Sequence, residues 1–366
     1  MSFFSKKSGD LILILDVQSS IVRGTLVQKA TDQVPLVLYT HNVPISFKAD
    51  GTSDYLVKTA IQAIKDDVTD ILKQQSGKIS AVHYVLSSPW IVSQAKTLHL
   101  SFKEDTHITK AYVMGMIREE RSKLSNKDDT ARVVEEKVFD VRLNGYPVSS
   151  WESKFTRELQ VSFVVSVAGG KMIDRLIEAC ENIVHRKGVQ FHSSLFLQHI
   201  GVEKIVQSTS SYALIHVHGE LTDVAVIENC SCVFFGSYPM GIQSVIRRIA
   251  TQTGTDEQSA DSLLSMSMKG HLDSAHAEKD LAVIDALDHE WIKQFQELVK
   301  TVNIPHNVIV SARYHEDFFM KSFATAYPRQ SLEILAIESM TPYVAFDPRV
   351  EQLRLTGAYV IAIYSL

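Results

Sequence analysis

The chain has 366 residues, 45% of them hydrophobic and 22% charged, with a formal net charge of -5. That length allows two or three domains with sizeable cores, and the lack of a basic field argues against nucleic acid as a partner. Three cysteines, Cys180, Cys230 and Cys232, fit a reduced cytosol better than a disulfide framework, the start is too short and charged for a secretory signal, and no apolar run is long enough to cross a bilayer.

Leu11 to Leu15 is a run of branched apolar residues ending in Asp16, which predicts a buried central strand. Ile21 to Gln28 and Pro35 to Ser46 supply two further strands. Ser53 caps a predicted helix to about Gln75, because Leu56, Ala60, Ala63, Ile64, Val68, Ile71 and Leu72 fall at helical spacing. Val82 to Leu86 is the next strand. From Thr97 to Gln190 the texture changes: a helix from His107 to Leu124, a polar break from Ser125 to Asp129, and an alternating strand before Asn144-Gly145, which is a two-residue hairpin signal. A strand from Glu158 to Val167 and an amphipathic helix from Met172 to Val184 complete an inserted α+β unit. Three strands follow, Tyr212 to His218, Thr222 to Glu228 and Cys232 to Tyr238, and Gly241 opens a helix. Residues 255–303 read as helical, with Thr255 as a cap and Gly270 as a stop. Val308 to Ser311, Glu316 to Ala326 and Leu332 to Ala336 then read as strand, helix and strand. Two strand-rich halves of similar design predict a duplicated α/β core.

Two strand–turn–strand elements carry the chemistry. In the first, Asp16-Val17-Gln18-Ser19-Ser20, an acid ends a strand and hydroxyls fill a tight turn. Such a turn can aim backbone N–H groups at phosphates, while its acid holds magnesium through water. In the second, His216 to Asp223, Gly219 permits close backbone approach. Taken alone, the first reads sooner as a plain hairpin with polar turn residues, and the second has the same plain reading. His216 and His218 share a strand face, but no further ligands stand at metal-binding spacing. Cys230 and Cys232 read as alternating strand positions.

Taken as a pair, the two hairpins resemble the phosphate clamp of actin-like proteins, and the chain is similar to the bacterial FtsA/PilM family of cell-division and type IV pilus assembly proteins. Leu13 to Arg23 resembles that family's first phosphate loop and His216 to Val224 its second. Tyr238-Pro239-Met240-Gly241 resembles its entry to the next helix, and Thr255 to Gly270, with Ala260-Asp261, its following helix. The resemblance implies an α/β, actin-like (ribonuclease H-like) two-lobed duplicated fold with an inserted 1C/SHS2-like α+β subdomain. Residues 8–96 would open subdomain 1A, 97–190 form the insert, and 191–208 return to 1A. Residues 209–254 with 304–340 would form 2A, 255–303 the helical 2B, and 341–366 a last return to 1A. It implies ATP with Mg2+ as cofactor, Asp16 as the metal-holding residue, and Ser19, Ser20, Gly219, Thr222, Asp223 and Gly241 around the nucleotide.

Departures from the family pattern bear on activity. The first-loop glycine is Gln18, the second-loop acid is His216, and the glycine cluster is reduced to Gly219 between His218 and Glu220. Glu220 would repel a phosphate unless a cation lies between. Where the family has a Gly-Gly pair near the base, the chain reads Val310-Ser311-Ala312-Arg313, and its helix lysine is Leu264. An eroded cleft argues against rapid hydrolysis, which needs a placed metal and an oriented water. The resemblance then implies a cytoplasmic scaffold, peripheral at the inner membrane face, whose partner is a membrane-complex protein or its cytoplasmic peptide. The chain stops at Leu366 without a basic amphipathic tail, which favours the PilM-like branch. The alternatives are an ATP-binding, filament-forming FtsA-like protein, self-associating head to tail, or an actin-fold ATPase or small-molecule kinase. Met1 to Lys7 reads as a disordered end.

Overall fold

A computed structural model describes residues 10–29, 33–48, 51–74, 77–125, 130–206, 209–272 and 274–366. The segments Met1 to Lys7 and Asn126 to Asp129 lie outside them.

The same five-stranded plan occurs twice. In lobe I, β1 (Asp10–Val17), β2 (Ile21–Lys29) and β3 (Leu36–Pro44) form an antiparallel meander. Helix α1 (Ser53–Gln74) crosses to β4 (Ile79–Leu86), which pairs parallel to β1. The strand β5 (Ile91–Ile108), helix α2 (Lys110–Ser125), strands β6 (Ala131–Leu143), β7 (Tyr146–Pro147) and β8 (Lys154–Gly169), and helix α3 (Gly170–Ala179) follow, before β9 (Val189–Ser193) adds to β4. Helix α4 (Ser194–Ile205) leads into lobe II. There β10 (Tyr212–Val217), β11 (Thr222–Glu228) and β12 (Ser231–Tyr238) repeat the meander. Helices α5 (Ile242–Thr253), α6 (Glu257–Met268) and α7 (Ser274–Leu298) precede β13 (Asn307–Ala312), which is parallel to β10. Helix α8 (Glu316–Ala326) and β14 (Ser331–Glu333) complete that sheet. Finally β15 (Ala345–Phe346) returns to β3 and α9 (Arg354–Ile363) closes the core. The sheet orders are β15-β3-β2-β1-β4-β9, β12-β11-β10-β13-β14, and β5-β8-β6-β7 for the insert.

Strand periodicity decides which core each residue joins. Leu11, Leu13, Leu15 and Val17 of β1 face α1 and α3, whereas Ile12 and Ile14 face the other way. In β10, Ala213, Ile215 and Val217 join the α5–α8 core, while Tyr212 and Leu214 face α4 and α9. The helices α4 and α9 therefore lie between the two sheets and share one core with both. They cross closely: a Cβ on Gly201 would stand 2.7 Å from the Ala358 carbonyl oxygen. Each fully buried aliphatic side chain contributes about 1.5–3 kcal/mol, so this shared layer binds the lobes firmly together.

Local readings shift in places. The helix read from His107 starts at Lys110, because β5 runs on to Ile108 and pairs with β8 across a bulge. The helical cap is Asp256 rather than Thr255: its carboxylate accepts from Ser259 N–H. Cys230 sits in the β11–β12 turn with φ of 62°, and only Cys232 is a strand residue. Asn144 and Gly145 both have positive φ, as a tight hairpin turn requires.

Helix α1 buries one acid. Asp67 lies over Gly24, where an added Cβ would stand 2.2 Å from its Oδ2, and its Oδ1 is 2.9 Å from His41 Nδ1. Burial pushes the Asp67 carboxyl up to about 7, against the pull of His41. The folded state therefore holds this proton more tightly than the unfolded chain does. Its contribution to stability is full below about pH 4 and falls as pH rises toward 7. In Asp67→Asn that decline, of order 2–4 kcal/mol, should be flattened in urea melts taken from pH 4 to pH 8. An unchanged slope would show that Asp67 does not titrate there.

Candidate functional site

The parallel strands of both lobes end on the same side, and both hairpin turns meet there. Asp16 is the penultimate residue of β1, buried, and its Oδ2 accepts from Gln18 Nε2 at 2.8 Å. Arg23 Nη1 lies 3.8 Å from the same oxygen, and Asp16 Oδ1 has no hydrogen-bond partner among the described residues. Burial raises the Asp16 carboxyl above the usual aspartate value, more than Arg23, Gln18, His218 and Arg313 lower it. Trp90 Nε1 donates to the Gln18 carbonyl and fixes the turn from behind.

The two turns are bonded to each other. Ser19 Oγ lies 2.9 Å from His218 Nδ1 and accepts the Glu220 backbone N–H at 2.8 Å. Ser20 is pressed against Gly219: a Cβ on that glycine would fall 1.9 Å from Ser20 Oγ. His218 Nε2 approaches Asp223 Oδ2 to 3.2 Å, close enough for an ion pair but not aligned for a hydrogen bond. Asp223 also accepts from the Ser88 N–H. Burial pushes Asp223 up, yet His218, His216 and the Ser88 N–H together outweigh this and hold it below the usual value. His216 points deeper, 3.2 Å from Gln198 Nε2, and burial pushes its ring down to about 3, so it is neutral.

Helix α5 is similarly engaged. Its N-cap is Gly241, and a Cβ there would meet His218 O at 2.1 Å, Gly219 O at 2.5 Å and Leu221 N at 2.7 Å. The amides of Ile242 and Gln243 donate to His218 and Gly219 carbonyls, Ser244 shares the Gly219 oxygen, and Val245 donates to Gly241. A helix start normally offers free N–H groups to an anion. Here the second turn takes them. Thr222 Oγ1 donates to Met240 O and accepts from Trp291 Nε1, which ties that turn to the lobe II core.

All seven residues proposed from sequence, Asp16, Ser19, Ser20, Gly219, Thr222, Asp223 and Gly241, thus lie at or directly behind this junction. Three partners carried no sequence signal of their own. Arg247 on α5 forms a two-pronged pair with Glu220, Nη1–Oε1 3.1 Å and Nη2–Oε2 2.5 Å, and stacks over Phe47. It supplies the cation that Glu220 demanded. Gln198 and Arg23 are the others. Among the described residues, no group of three or more His, Cys, Asp or Glu is placed to hold a metal ion.

Beside the junction lie two cavities. One of about 400 Å3 is lined by Gln18, Ser20, His218, Gly219, Arg247 and Arg313. The other, about 750 Å3, lies between α6 and the β13–α8 turn and shares Gln243, Glu257, Arg313 and Tyr314 with the first.

No model of a known protein family matches the sequence, and no curated protein matches it. Solved structures do match in fold. A chain of the PilM–PilN type IV pilus biogenesis complex is similar over 96% of this chain and 96% of its own, with a TM-score of 0.66 and 13% identity. The ethanolamine utilization protein EutJ from Carboxydothermus hydrogenoformans covers 97% of this chain and 90% of its own at TM-score 0.47 and 10% identity. A Bacteroides thetaiotaomicron protein with an actin-like ATPase fold and unknown function covers 98% of each chain at TM-score 0.46 and 8% identity. The chain has the two-lobed, duplicated α/β fold with an inserted subdomain that the resemblance to actin-like, ribonuclease H-like proteins implies. No helix among the described residues is long and apolar enough to cross a membrane.

Proposed function

We propose that this chain is a cytoplasmic actin-like scaffold that binds a segment of a membrane-embedded partner, in the manner of a pilus assembly adaptor, with its interlobe clamp closed by protein contacts in place of MgATP. The observation that carries this reading is the direct bonding of the two turns: Ser19 reaches both His218 and the Glu220 amide across the lobes. Residues that would cradle phosphates are spent on each other, and the amides at the α5 start are already satisfied. A triphosphate entering here would have to displace several buried hydrogen bonds, each left unmade at about 1–3 kcal/mol. With its metal-side environment altered and no step of hydrolysis supported, the molecule offers surfaces. The likeness to a chain of the PilM–PilN complex supports a peptide-bearing partner as the class to test.

The test has two arms. Millimolar MgATP should leave the melting temperature unchanged, and the cytoplasmic peptide of a PilN-like membrane protein from the same genome should bind in calorimetry. A MgATP-dependent rise in Tm that Asp16→Ala abolishes would overturn the closed clamp and favour an ATP-binding filament former, checked by pelleting. Failure of the peptide to bind would remove the pilus-type adaptor assignment.

A further inference from the structure

A polar seam lies apart from the clamp, where the insert returns to lobe I. The edge strand there is β9, five residues long and parallel to β4. Because His192 pairs with Val85, two residues on from His83, the two imidazoles stand on one face of that strand pair. Both are buried, their rings are stacked 5.3 Å apart, and His83 Nδ1 lies 3.1 Å from His192 Nε2. On the other side of His192, Glu135 of β6 holds its Oε1 3.8 Å from Nδ1. That oxygen is buried and has no hydrogen-bond partner among the described residues. Its fellow, Oε2, accepts from the Ser193 N–H at 3.2 Å and from Ser166 Oγ at 3.3 Å. Ser93 Oγ donates to Ser193 Oγ at 3.1 Å. Strands β5, β6 and β8 of the insert thus all reach the end of β9 through polar groups.

The seam has room for one extra proton. With both rings neutral, a single N–H lies between them, one ring donating and the other accepting. A first added proton on His192 is accommodated: its Nδ1–H faces Glu135, and its Nε2–H donates to the His83 lone pair. A second proton has no such place. Two imidazolium rings leave no lone pair between them, so the 3.1 Å contact would set N–H against N–H and like charge against like charge. Burial, with His192 adding to it, pushes the His83 ring down to about 4. Other titratable groups on the elements packed here are engaged elsewhere or face solvent. Asp16 of β1 serves Gln18 and Arg23, His199 of α4 meets the Tyr212 hydroxyl, and Lys187 before β9 is exposed.

We propose that His83, His192 and Glu135 form an acid-release latch: the seam that seats β9 and the insert accepts one proton and opens when a second is forced on it. The latch goes beyond the scaffold reading and does not depend on it, since neither MgATP nor a peptide enters its test.

In the open seam both rings titrate as free histidines, near 6.5. The closed form is therefore favoured above that pH and loses ground as pH falls toward 4. Between pH 7.5 and pH 5 the open form should gain about thirtyfold. Native-state hydrogen exchange of the β9 amides, corrected for the intrinsic effect of pH, reads this as lost protection, with the β10 and β11 amides as internal reference. In His83→Gln the loss should shrink to within about threefold. Glu135→Gln removes the counter-charge of the first proton and should enlarge the loss. Constant β9 protection in the wild type, or a full loss that persists in His83→Gln, would overturn the latch. Should His83→Gln fail to fold, the histidine ring signals of the wild type decide by NMR: one of these two rings must stay neutral at pH 5, and both titrating as free histidines refutes the proposal.

Discussion

Gly241→Ala should destabilise the protein by about 3 kcal/mol, and Gly241→Val by more, although the change adds a single methyl group. Overpacking usually costs about 1–3 kcal/mol because side chains give way. Here the added carbon would meet backbone atoms, the carbonyl oxygens of His218 and Gly219 and the amide of Leu221, all below 3.0 Å. The two carbonyls also hold the first turn of α5, so moving them breaks the helix start. Backbone strain is not the cause, since φ at Gly241 is -118°, which any residue adopts. Denaturant melts with unchanged m would measure the effect. A loss below about 0.5 kcal/mol, the range of neutral surface changes, would mean that the second turn is free to open. That result would revive a ligand role for Gly241.

Asp223→Ala should cost roughly 3–5 kcal/mol, the usual penalty for leaving one partner of a buried ion pair alone. Asp223 faces His218 at 3.2 Å and holds the Ser88 amide, so its removal loosens both the clamp and the loop behind it. Its acid dependence has the opposite sign to that of Asp67. Because the Asp223 carboxyl is held below the ordinary 3.8, its contribution is complete above that value and is lost as pH falls through the lower folded value. Asp223→Ala should therefore lose most stability at neutral pH and converge with wild type in strong acid, whereas Asp67→Asn diverges from wild type as pH rises. Parallel wild-type and Asp223→Ala profiles down to pH 2 would show that the pair with His218 carries no net stabilisation.

The sheets were legible because their signals are local. An apolar run ending in Asp16, a glycine at 219 and alternating faces in β10 and β11 each act within a few residues. Helix α8 was read with the bounds it has, Glu316–Ala326. The first half of the insert was harder. Strand β5 carries Lys103-Glu104-Asp105 at its bulge, and such a charge cluster reads as a break even when a long strand continues through it. The clamp itself was hidden. Ser19 and His218 stand 199 positions apart, and Glu220 and Arg247 stand 27 apart on a turn and a helix. The residue types at the turns were informative about where they gather, but who bonds whom is set by how α4 and α9 seat the two sheets. Arg313 is a misfit to the family pattern in the sequence, but its place over the Tyr314 ring is visible only in the structure.

The sandwiched helix pair also sets an order in time. Lobe I begins with β1, but its edge strand β15 and its covering helix α9 are made only after the whole of lobe II. A ribosome paused after Met340 would hold a nascent chain in which Ile12, Ile14, Tyr212 and Leu214 lack their α9 cover. Such long-range closure is slow and leaves apolar sheet faces open to aggregation meanwhile. Synthesis of this chain should therefore lean on chaperones until its last helix emerges, and the lobes should reach their native state together.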